Sequence, residues 1–502
     1  MRKYIFAIAA LFIAINAQSM TPSLGDRRVT PEARYKLIRH SYTLNENGTV
    51  DYNYRKEITI LRNHALTAYA WLGESFITYN PAFETLKINE CYTIRPDGSK
   101  VEMPNAGFIE QLPSNCTDCG RFNSLRELAI VHTGMEIGCT IVLDYTIHRN
   151  SDKLFANFTL AEDCPVERYE VNLTLLKKAK IEWGEQIVTK KNVSHEVSGD
   201  STYLHWVATD LPQKYSDPYI PSNNQLYNSI YIHSSHHCSW FVFDNQEKLP
   251  EAKILIANNG DNDRVINAYN IANYVVDNIA TNDIAPEALN FVISPASVTW
   301  QSNCGTPSDK TQLLGAMLRE DGYDAIAQME HGTMSVKFTV NGKEYRLNAN
   351  KKNELTNNDN KVQFESQTNS SGEDSSNLGN GYTEWTIPQQ KMIYDAHYLA
   401  SNRKAPLALK KMVTANSTWV HPLNGSKLVT KPYDIHMESK THLADGKPLW
   451  SMHIRLEQHG EIINTIRSFT INDSRVISGK EYIAFRKALM EYQTTNSVVT
   501  KK

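Results

Sequence analysis

The stretch that decides the fold spans residues 299–325 and reads TWQSNCGTPSDKTQLLGAMLREDGYDA. Thr306 is a favoured N-cap residue, Pro307 suits the first helical position, and Asp309 completes a capping-box pair with Thr306. The apolar residues that then repeat at helical spacing are Leu313, Leu314, Met317 and Leu318. Gly322 follows at a position that suits a helix C-terminus. The stretch therefore predicts a capped helix with a buried face.

The neighbouring segments extend this helix into an α+β pattern. A second helix is predicted upstream by apolar residues at 4-3-4-3 spacing, which are Val265, Tyr269, Ala272, Val276 and Ile279. Downstream, the dipeptide Asn341-Gly342 separates two runs of strand-forming residues, 334–340 and 343–347. An Asn-Gly pair in that setting is a strong signal for a β-hairpin.

The regions on both sides read as mainly β. Residues 34–243 contain short runs of strand formers, and Pro96-Asp97-Gly98 predicts a hairpin turn because glycine tolerates positive φ. This region predicts a large antiparallel domain of two packed sheets. Residues 351–382 are polar and rich in Asn, Ser and Gly, which predicts a flexible loop or linker.

The chain returns to strands from about residue 385 and ends with a predicted helix. Ser478 and Glu481 have the spacing of a capping box. The apolar residues that share one face of this terminal helix are Tyr482, Phe485, Leu489 and Tyr492. A chain of 502 residues is long enough for about three domains.

The first residues have the pattern of a secretory signal peptide. Arg2 and Lys3 are basic, residues 4–15 are apolar, and Ala17 is a small residue suited to the cleavage site. We therefore expect residues 1–17 to be a signal peptide and the mature protein to be periplasmic or extracellular. No later stretch is long and apolar enough to span a bilayer.

Charge and cysteine content narrow the functional classes. The formal net charge is −3, without a basic face for phosphates, which argues against nucleic acid as a partner. The seven cysteines are an odd number, so at least one stays free or pairs between chains. Cys116 and Cys119 have CxxC spacing, and we expect a local disulfide or two bonds to other cysteines rather than a zinc or thioredoxin-like site.

The stretch from Thr299 resembles the nucleophile helix of bacterial transglutaminase-like proteins. In that family a Gly-x-Cys-x-Asp-Lys-like opening leads into a helix with paired leucines, followed by Leu-Arg, a Gly and a small residue. The N-terminal region resembles the β-rich domain of unknown function that often precedes such cores in exported bacterial proteins, and the tail resembles the small β domain that follows them. The resemblance covers nearly the whole mature chain.

This resemblance implies an α+β multidomain fold. It consists of an N-terminal antiparallel β-sandwich-like domain, a papain/transglutaminase-like α+β core, and a C-terminal β domain with a terminal helix. The expected boundaries are 1–17 for the signal peptide, 18–245 for the N-terminal domain, 246–350 for the core, 351–382 for the linker and 383–502 for the C-terminal domain.

The catalytic positions of the family hold other residues in this chain. The resemblance implies a Cys nucleophile at the position of Pro307, a His at Thr333 and an Asp at Asn348. None of the three can perform its expected role. The sequence therefore predicts a degenerate, noncatalytic core with no cofactor, acting at the cell envelope as a structural module or as a binding module for a peptide or glycan.

A displaced catalytic pair is the alternative. Cys304 lies three residues before Pro307, and His331 lies two residues before Thr333. Together they could serve an active cysteine acyltransferase or a protease-like hydrolase. Cys304 lies upstream of the predicted N-cap, however, where the helix dipole acts on it less directly. For Cys304 taken alone, a disulfide or a buried thiol is the favoured interpretation.

A histidine-rich segment is a further metal candidate. His233, His236 and His237 crowd a short stretch next to Cys238. The surrounding residues suggest extended chain, in which His236 and His237 face opposite ways. Packing or surface exposure is therefore favoured over a metal site.

Overall fold

A computed structural model describes residues 31–66, 76–188, 193–198, 202–234, 242–255, 263–330, 333–353, 363–369, 375–387, 392, 394–410 and 412–502. These residues form two compact units. The N-terminal unit contains Thr30–Lys214 and Asn223–Leu355, and the C-terminal unit contains Tyr215–Ser222 and Thr356–Lys502. Both units combine sheets with helices, so the predicted α+β multidomain class is confirmed.

The first part of the N-terminal unit is β-rich. Its strands are β1 (Ala33–Leu44), β2 (Val50–Ile60), β3 (Phe76–Tyr79), β4 (Glu84–Ile94), β5 (Lys100–Glu102), β6 (Phe108–Gln111), β7 (Arg126–Ile130), β8 (Thr140–Arg149), β9 (Phe155–Thr159), β10 (Val166–Leu175), β11 (Ile181–Gln186), β12 (Val193–Val197), β13 (Tyr203–Leu211) and β14 (Ser229–Ser234). Eight of them form one sheet in the order β12-β13-β10-β1-β2-β8-β4-β5. Two three-stranded sheets, β11-β14-β9 and β3-β7-β6, accompany it.

The large sheet is mixed rather than wholly antiparallel. Strands β1 and β10 pair in parallel, and the other pairs in the sheet are antiparallel. Inward residues alternate along the strands, so that Tyr54, Ile58 and Ile60 of β2 are buried in one hydrophobic core. The predicted turn between β4 and β5 is present, with Gly98 at a φ of +85°.

The second part of the N-terminal unit carries the helices. Its elements are α1 (Asn223–Leu226), α2 (Arg264–Asn278), β15 (Ala280–Thr281), α3 (Ala296–Ser302), β16 (Cys304–Gly305), α4 (Pro307–Glu320), β17 (Ile326–Glu330), β18 (Thr333–Val340) and β19 (Lys343–Leu347). Strands β17, β18 and β19 form an antiparallel sheet. Asn341 and Gly342 both have positive φ between β18 and β19, which confirms the predicted hairpin.

Helix α4 has the caps that the sequence predicts. The Thr306 hydroxyl accepts from the Asp309 N–H, and Asp309 accepts from the Thr306 N–H. At the other end, the Tyr323 N–H donates to the Leu318 carbonyl around Gly322, whose φ is +79°. The burial differs from the prediction of a single buried face, because every residue from Ser308 to Arg319 is buried.

Helix α2 buries a stripe that matches the predicted one only in part, at Ala272 and at Ile279, which follows the helix. Its most buried apolar residues are Ala268, Ile271, Ala272 and Val275, whereas Val265, Tyr269 and Val276 are only half-buried. The two alanines are small enough for α2 to pack closely against α4 in the same hydrophobic core. The 4-3-4-3 pattern therefore identified the helix but located its buried face only in part.

The C-terminal unit has its own sheets and helix. Its elements are β20 (Gln363–Asn369), β21 (Ser375–Gly379), β22 (Tyr382–Thr386), β23 (Leu407–Ala408), β24 (Met412–Pro422), β25 (Lys427–Leu428), β26 (Tyr433–Glu438), β27 (Trp450–His459), β28 (Ile462–Ile471), β29 (Val476–Ile477), α5 (Gly479–Thr494) and β30 (Ser497–Lys501). The sheets run β20-β24-β28-β27-β26, β21-β22-β30-β25 and β23-β29. Helix α5 buries Tyr482, Phe485, Leu489 and Tyr492, as predicted.

Two expectations for this unit are corrected. Part of the polar segment 351–382 forms β20 and β21, because β24 and β22 supply backbone partners that local composition does not reveal. The predicted capping box of α5 does not form, since the Ser478 side chain makes no cap hydrogen bond. Among the described residues, the helices are too short or too polar to cross a membrane.

Candidate ligand-binding cleft

A cavity of about 190 Å³ opens at the N-terminus of α4. The apolar side chains of its wall come from Ile284, Pro286, Leu289, Phe291, Val292, Pro307 and Met334. Thr306 and Ser308 contribute hydroxyls, and Asp283 lies at its edge. Pro307, the position at which the resemblance places a nucleophile, lines the cavity, and the wall is mostly apolar.

The polar side chains in the first turn of α4 form hydrogen bonds within that turn. Thr306 Oγ1 and Ser308 Oγ lie 2.8 Å apart, within hydrogen-bonding distance, and Thr306 Oγ1 also accepts from the Asp309 N–H. Pro307 occupies the first helical position, where its missing N–H costs no hydrogen bond. The side chain at this position has no nucleophilic atom.

Asp309 anchors the first turn to the β-rich part of the same unit. Its side chain is fully buried, and Oδ2 accepts from Arg121 Nη2 at 2.8 Å. Its Oδ1 accepts from the Ser294 N–H at 2.8 Å. A buried carboxylate requires such partners, because desolvation alone would cost several kcal/mol.

Arg121 is the residue that the sequence did not single out. Besides Asp309, its guanidinium donates to the carbonyl of Cys304 at 3.2 Å and to the hydroxyls of Thr299 and Ser294. Its side chain is 14% exposed, so these bonds lie largely away from water. The only sequence signal was its place two residues after the CxxC motif, since its partners are more than 170 residues away.

A disulfide joins Cys119 to Cys304, which lie 185 positions apart in sequence with their Cα atoms 6.1 Å apart. Cys119 is therefore disulfide-bonded, but not to Cys116, whose thiol is free and buried. Within this disulfide the Cys304 sulfur is not a thiolate nucleophile. The sequence could not predict the partner, since spacing carries no information on long-range pairing.

The other two positions predicted for the triad, Asn348 and Thr333, lie after β19 and at the start of β18. Asn348 Oδ1 accepts from the Asn350 N–H at 2.7 Å, which closes a short turn after β19. Asn350 Nδ2 donates to the Pro307 carbonyl at 3.1 Å and so links that turn to α4. Thr333 opens β18 opposite Glu330. His331 lies outside the described residues.

Lys310 is a buried charge beside the cleft. It is 1% exposed, and its ammonium donates to the Ile279 carbonyl at 2.7 Å and to Thr281 Oγ1 at 2.9 Å. Burial lowers the pKa of Lys310 from 10.5 to about 8, against an opposing contribution from Asp277. The lysine ties α4 to the segment after α2 and does not line the cavity.

The outer wall of the cavity is a strained turn held by the β-rich part. Asn290 and Phe291 have φ of 50° and 62°, a region that L-residues occupy at a cost. Asn80 Nδ2 donates to the Ala288 carbonyl at 3.0 Å, and Lys153 Nζ donates to the Asn290 carbonyl at 3.1 Å. The wall thus keeps its shape through contacts with residues far away in sequence.

The histidine-rich segment is only partly described. His233 lies in β14, stacks on Phe155 at 4.5 Å between ring centroids, and has its pKa lowered by burial. His236, His237 and Cys238 lie outside the described residues. Within the part of the chain that the structure describes, no three His, Cys, Asp or Glu side chains are grouped to hold a metal ion.

Comparison with known proteins adds two findings. Residues 46–215 match the family model described as a domain of unknown function with a solved structure, DUF3857. This match begins between β1 and β2 and ends after β13, and it covers about a third of the chain. No curated protein matches the chain.

The second finding concerns the fold. A crystal structure described as "a putative protease from Parabacteroides distasonis ATCC 8503" is similar, with a TM-score of 0.74 and 22% sequence identity. The alignment covers 94% of this chain and 99% of the other. The chain thus contains a DUF3857 domain and shares the fold of that structure; at this identity the likeness concerns the fold alone.

Proposed function

We propose that the chain is an exported, noncatalytic transglutaminase-like protein that binds peptides in the cavity at the N-terminus of α4. One observation carries the proposal. The resemblance places the nucleophile at Pro307, which has no nucleophilic side chain, and the nearby Cys304 is bonded to Cys119. Cysteine chemistry needs a free thiolate at a helix N-terminus, and neither residue supplies one.

The cavity wall favours a peptide over a glycan. Glycans bind through many hydroxyls and need polar partners, whereas this wall is formed mainly by residues such as Leu289, Phe291 and Met334. A space of about 190 Å³ suits one apolar side chain of a peptide. A fold shared with a protein described as "a putative protease" also supports a peptide as the ligand.

Export is supported by two independent features. Residues 1–17 have the composition of a signal peptide. The Cys119–Cys304 disulfide is the kind of bond that persists in oxidising compartments. A periplasmic or extracellular location follows for the mature protein as part of the proposal.

Thiol labelling tests the loss of catalysis. The native protein is treated with fluorescein-iodoacetamide, and the labelled peptides are identified by mass spectrometry. In the absence of added thiol we expect no label on Cys304 in the wild type, whereas Cys119→Ser removes the disulfide partner of Cys304 and serves as the matched control for probe access. Peptide hydrolysis that Cys304→Ala abolishes would support the active cysteine hydrolase instead.

Ligand binding is tested with defined probes. Saturation-transfer difference NMR is recorded with acetylated, amidated tripeptides that have leucine or lysine between two glycines, and with chitotriose. We expect a signal from the leucine peptide that Val292→Glu removes, because this residue is 62% exposed at the cavity and the new carboxylate would be desolvated by the ligand.

The matched control is Val131→Glu, at a valine that is 47% exposed and does not line the cavity. This variant should keep the leucine-peptide signal. A signal from chitotriose alone, or equal loss in both variants, would contradict binding of an apolar side chain in this cavity.

A further inference from the structure

Three cysteines meet in one buried cluster beside the cleft. Cys116, Cys119 and Cys304 are 0%, 2% and 3% exposed, and they pack together with Phe122 and Ile284. Two of them form the disulfide, and the third, Cys116, keeps a free thiol that donates to Asn115 Oδ1 at 3.4 Å. The cluster therefore holds one more sulfur than its disulfide uses.

Cys116 lies where it could replace Cys304 as the disulfide partner of Cys119. The Cys119 N–H donates to the Cys116 carbonyl at 3.1 Å, which closes a four-residue turn between them. Such a turn brings its first and last Cα atoms within about 7 Å, and disulfides span Cα distances of about 4.4–6.8 Å. The backbone turn from Cys116 to Cys119 therefore has a geometry that also suits a disulfide between these two residues.

We propose that these three cysteines form a thiol–disulfide exchange site in which Cys116 and Cys304 alternate as the partner of Cys119. The Cys116 thiol loses its proton, and its sulfur attacks Cys119 Sγ. The Cys119–Cys304 bond breaks as the Cys116–Cys119 bond forms, and Cys304 leaves as a thiolate that takes up a proton. No electrons are gained or lost overall.

The exchange would act on the cavity through a shared wall. Ile284 belongs to the cysteine cluster and also lines the cavity, and Leu289 packs against the cluster from the cavity side. Releasing Cys304 also removes the covalent tie between the segment that carries Arg121 and the residues before α4. Cysteine pairing therefore regulates peptide binding in the cavity, a role that rests on the proposed function.

Disulfide mapping tests the exchange itself. The wild-type protein is incubated for hours with a trace of reduced glutathione, since burial raises the pKa of the Cys116 thiol and slows attack. It is then quenched in acid, alkylated and mapped by mass spectrometry. We expect both the Cys119–Cys304 and the Cys116–Cys119 pairs; finding only Cys119–Cys304 overturns the exchange.

Two variants trap the two states. Within the cluster, Cys116→Ser leaves only the Cys119–Cys304 pair, and Cys304→Ser leaves only Cys116–Cys119. With the leucine tripeptide as the probe, we expect affinities that differ by roughly fivefold or more between the variants, the lower range of allosteric coupling. Equal affinities overturn the regulatory coupling, even if both pairs are found in the wild type.

The two proposals fail in different ways. If the leucine tripeptide binds neither the wild type nor either variant, the proposed peptide-binding function is wrong. The disulfide map of the wild type still decides whether Cys116 exchanges with Cys304. This map needs no variant to fold, so the exchange stays testable if Cys304→Ser is unstable.

Discussion

Two helices begin with the same kind of motif but use it differently. Helix α4 in the N-terminal unit opens with Thr306 and Asp309, and α5 in the C-terminal unit opens with Ser478 and Glu481. At α4 both hydrogen bonds of the capping box form. At α5 neither Ser478 nor Glu481 caps the helix; Glu481 instead accepts from the indole N–H of Trp450 at 2.7 Å.

The difference follows from what each carboxylate can reach. Asp309 is short and stays at the helix end, where Arg121 also meets it. Glu481 is one methylene longer and accepts bonds from Trp450 and from Ser439 Oγ at 2.6 Å. Trp450 is fully buried, and leaving its N–H unpaired would cost about 1–3 kcal/mol, at least as much as a typical cap contributes.

Of the substitutions at the two helix starts, removal of the Asp309 carboxylate should cause the largest loss in the free energy of unfolding. Asp309→Ala leaves Arg121 buried without its counter-charge, and we expect a loss of about 3–5 kcal/mol in the free energy of unfolding of the N-terminal unit. Urea denaturation followed by hydrogen exchange in α4 peptides measures it. The double variant Arg121→Met/Asp309→Ala should lose less than the sum of the two single variants; strict additivity would argue against the ion pair.

The dependence of stability on pH is the next expected difference between α4 and α5, because α4 contains the buried Lys310. The pKa of Lys310 is lowered to about 8 in the folded protein and is near 10.5 in the unfolded chain, so between these values the unfolded state holds a proton that the folded state lacks. Stability should therefore rise with pH across this window, by roughly 3 kcal/mol from this residue. Urea midpoints at pH 8 and pH 10 measure the rise.

Two lysine substitutions test whether Lys310 causes this rise in stability, one at Lys310 itself and one at a control position. Lys310→Met should flatten the dependence of stability on pH between pH 8 and pH 10. Lys480→Met, at an exposed lysine in the first turn of α5, should leave it unchanged. An unaltered slope in Lys310→Met would show that another group causes the rise.

Glu481→Ala should weaken the C-terminal unit by about 2 kcal/mol, because the Trp450 indole N–H would be buried without an acceptor. Denaturation followed by tryptophan fluorescence gives the free energy of unfolding. Glu481→Gln keeps a carbonyl oxygen that can accept from the indole, and it should recover most of the loss. A larger loss for Glu481→Gln than for Glu481→Ala would contradict this role.

The smallest effect is expected for the two N-cap residues themselves. Thr306→Ala should cost about 1 kcal/mol, since its hydroxyl accepts from the Asp309 N–H. Ser478→Ala should change stability by less than about 0.5 kcal/mol, because its side chain makes no cap bond. Thermal unfolding of the two variants measures the two losses. Equal losses would contradict the conclusion that only Thr306 acts as a side-chain cap.

The candidate site was predictable in part. The helix that carries it, its Thr306 cap and the substituted position at Pro307 all follow from local sequence and from the resemblance. The cavity wall was not predictable, because Ile284 and Leu289 reach it through a turn fixed by Asn80, about 200 residues earlier. Arg121 was missed for the same reason.

The sequence by itself determined the features that depend on neighbouring residues: the caps of α4, the Asn341-Gly342 hairpin and the β-rich character of both flanks. Their hydrogen bonds close within a few residues, so local pattern is sufficient. Only the tertiary structure decided that Cys119 pairs with Cys304, that Arg121 meets Asp309, and that Glu481 binds Trp450 rather than capping α5. These contacts join residues distant in sequence, and burial of charged or polar groups determines which partner each one takes.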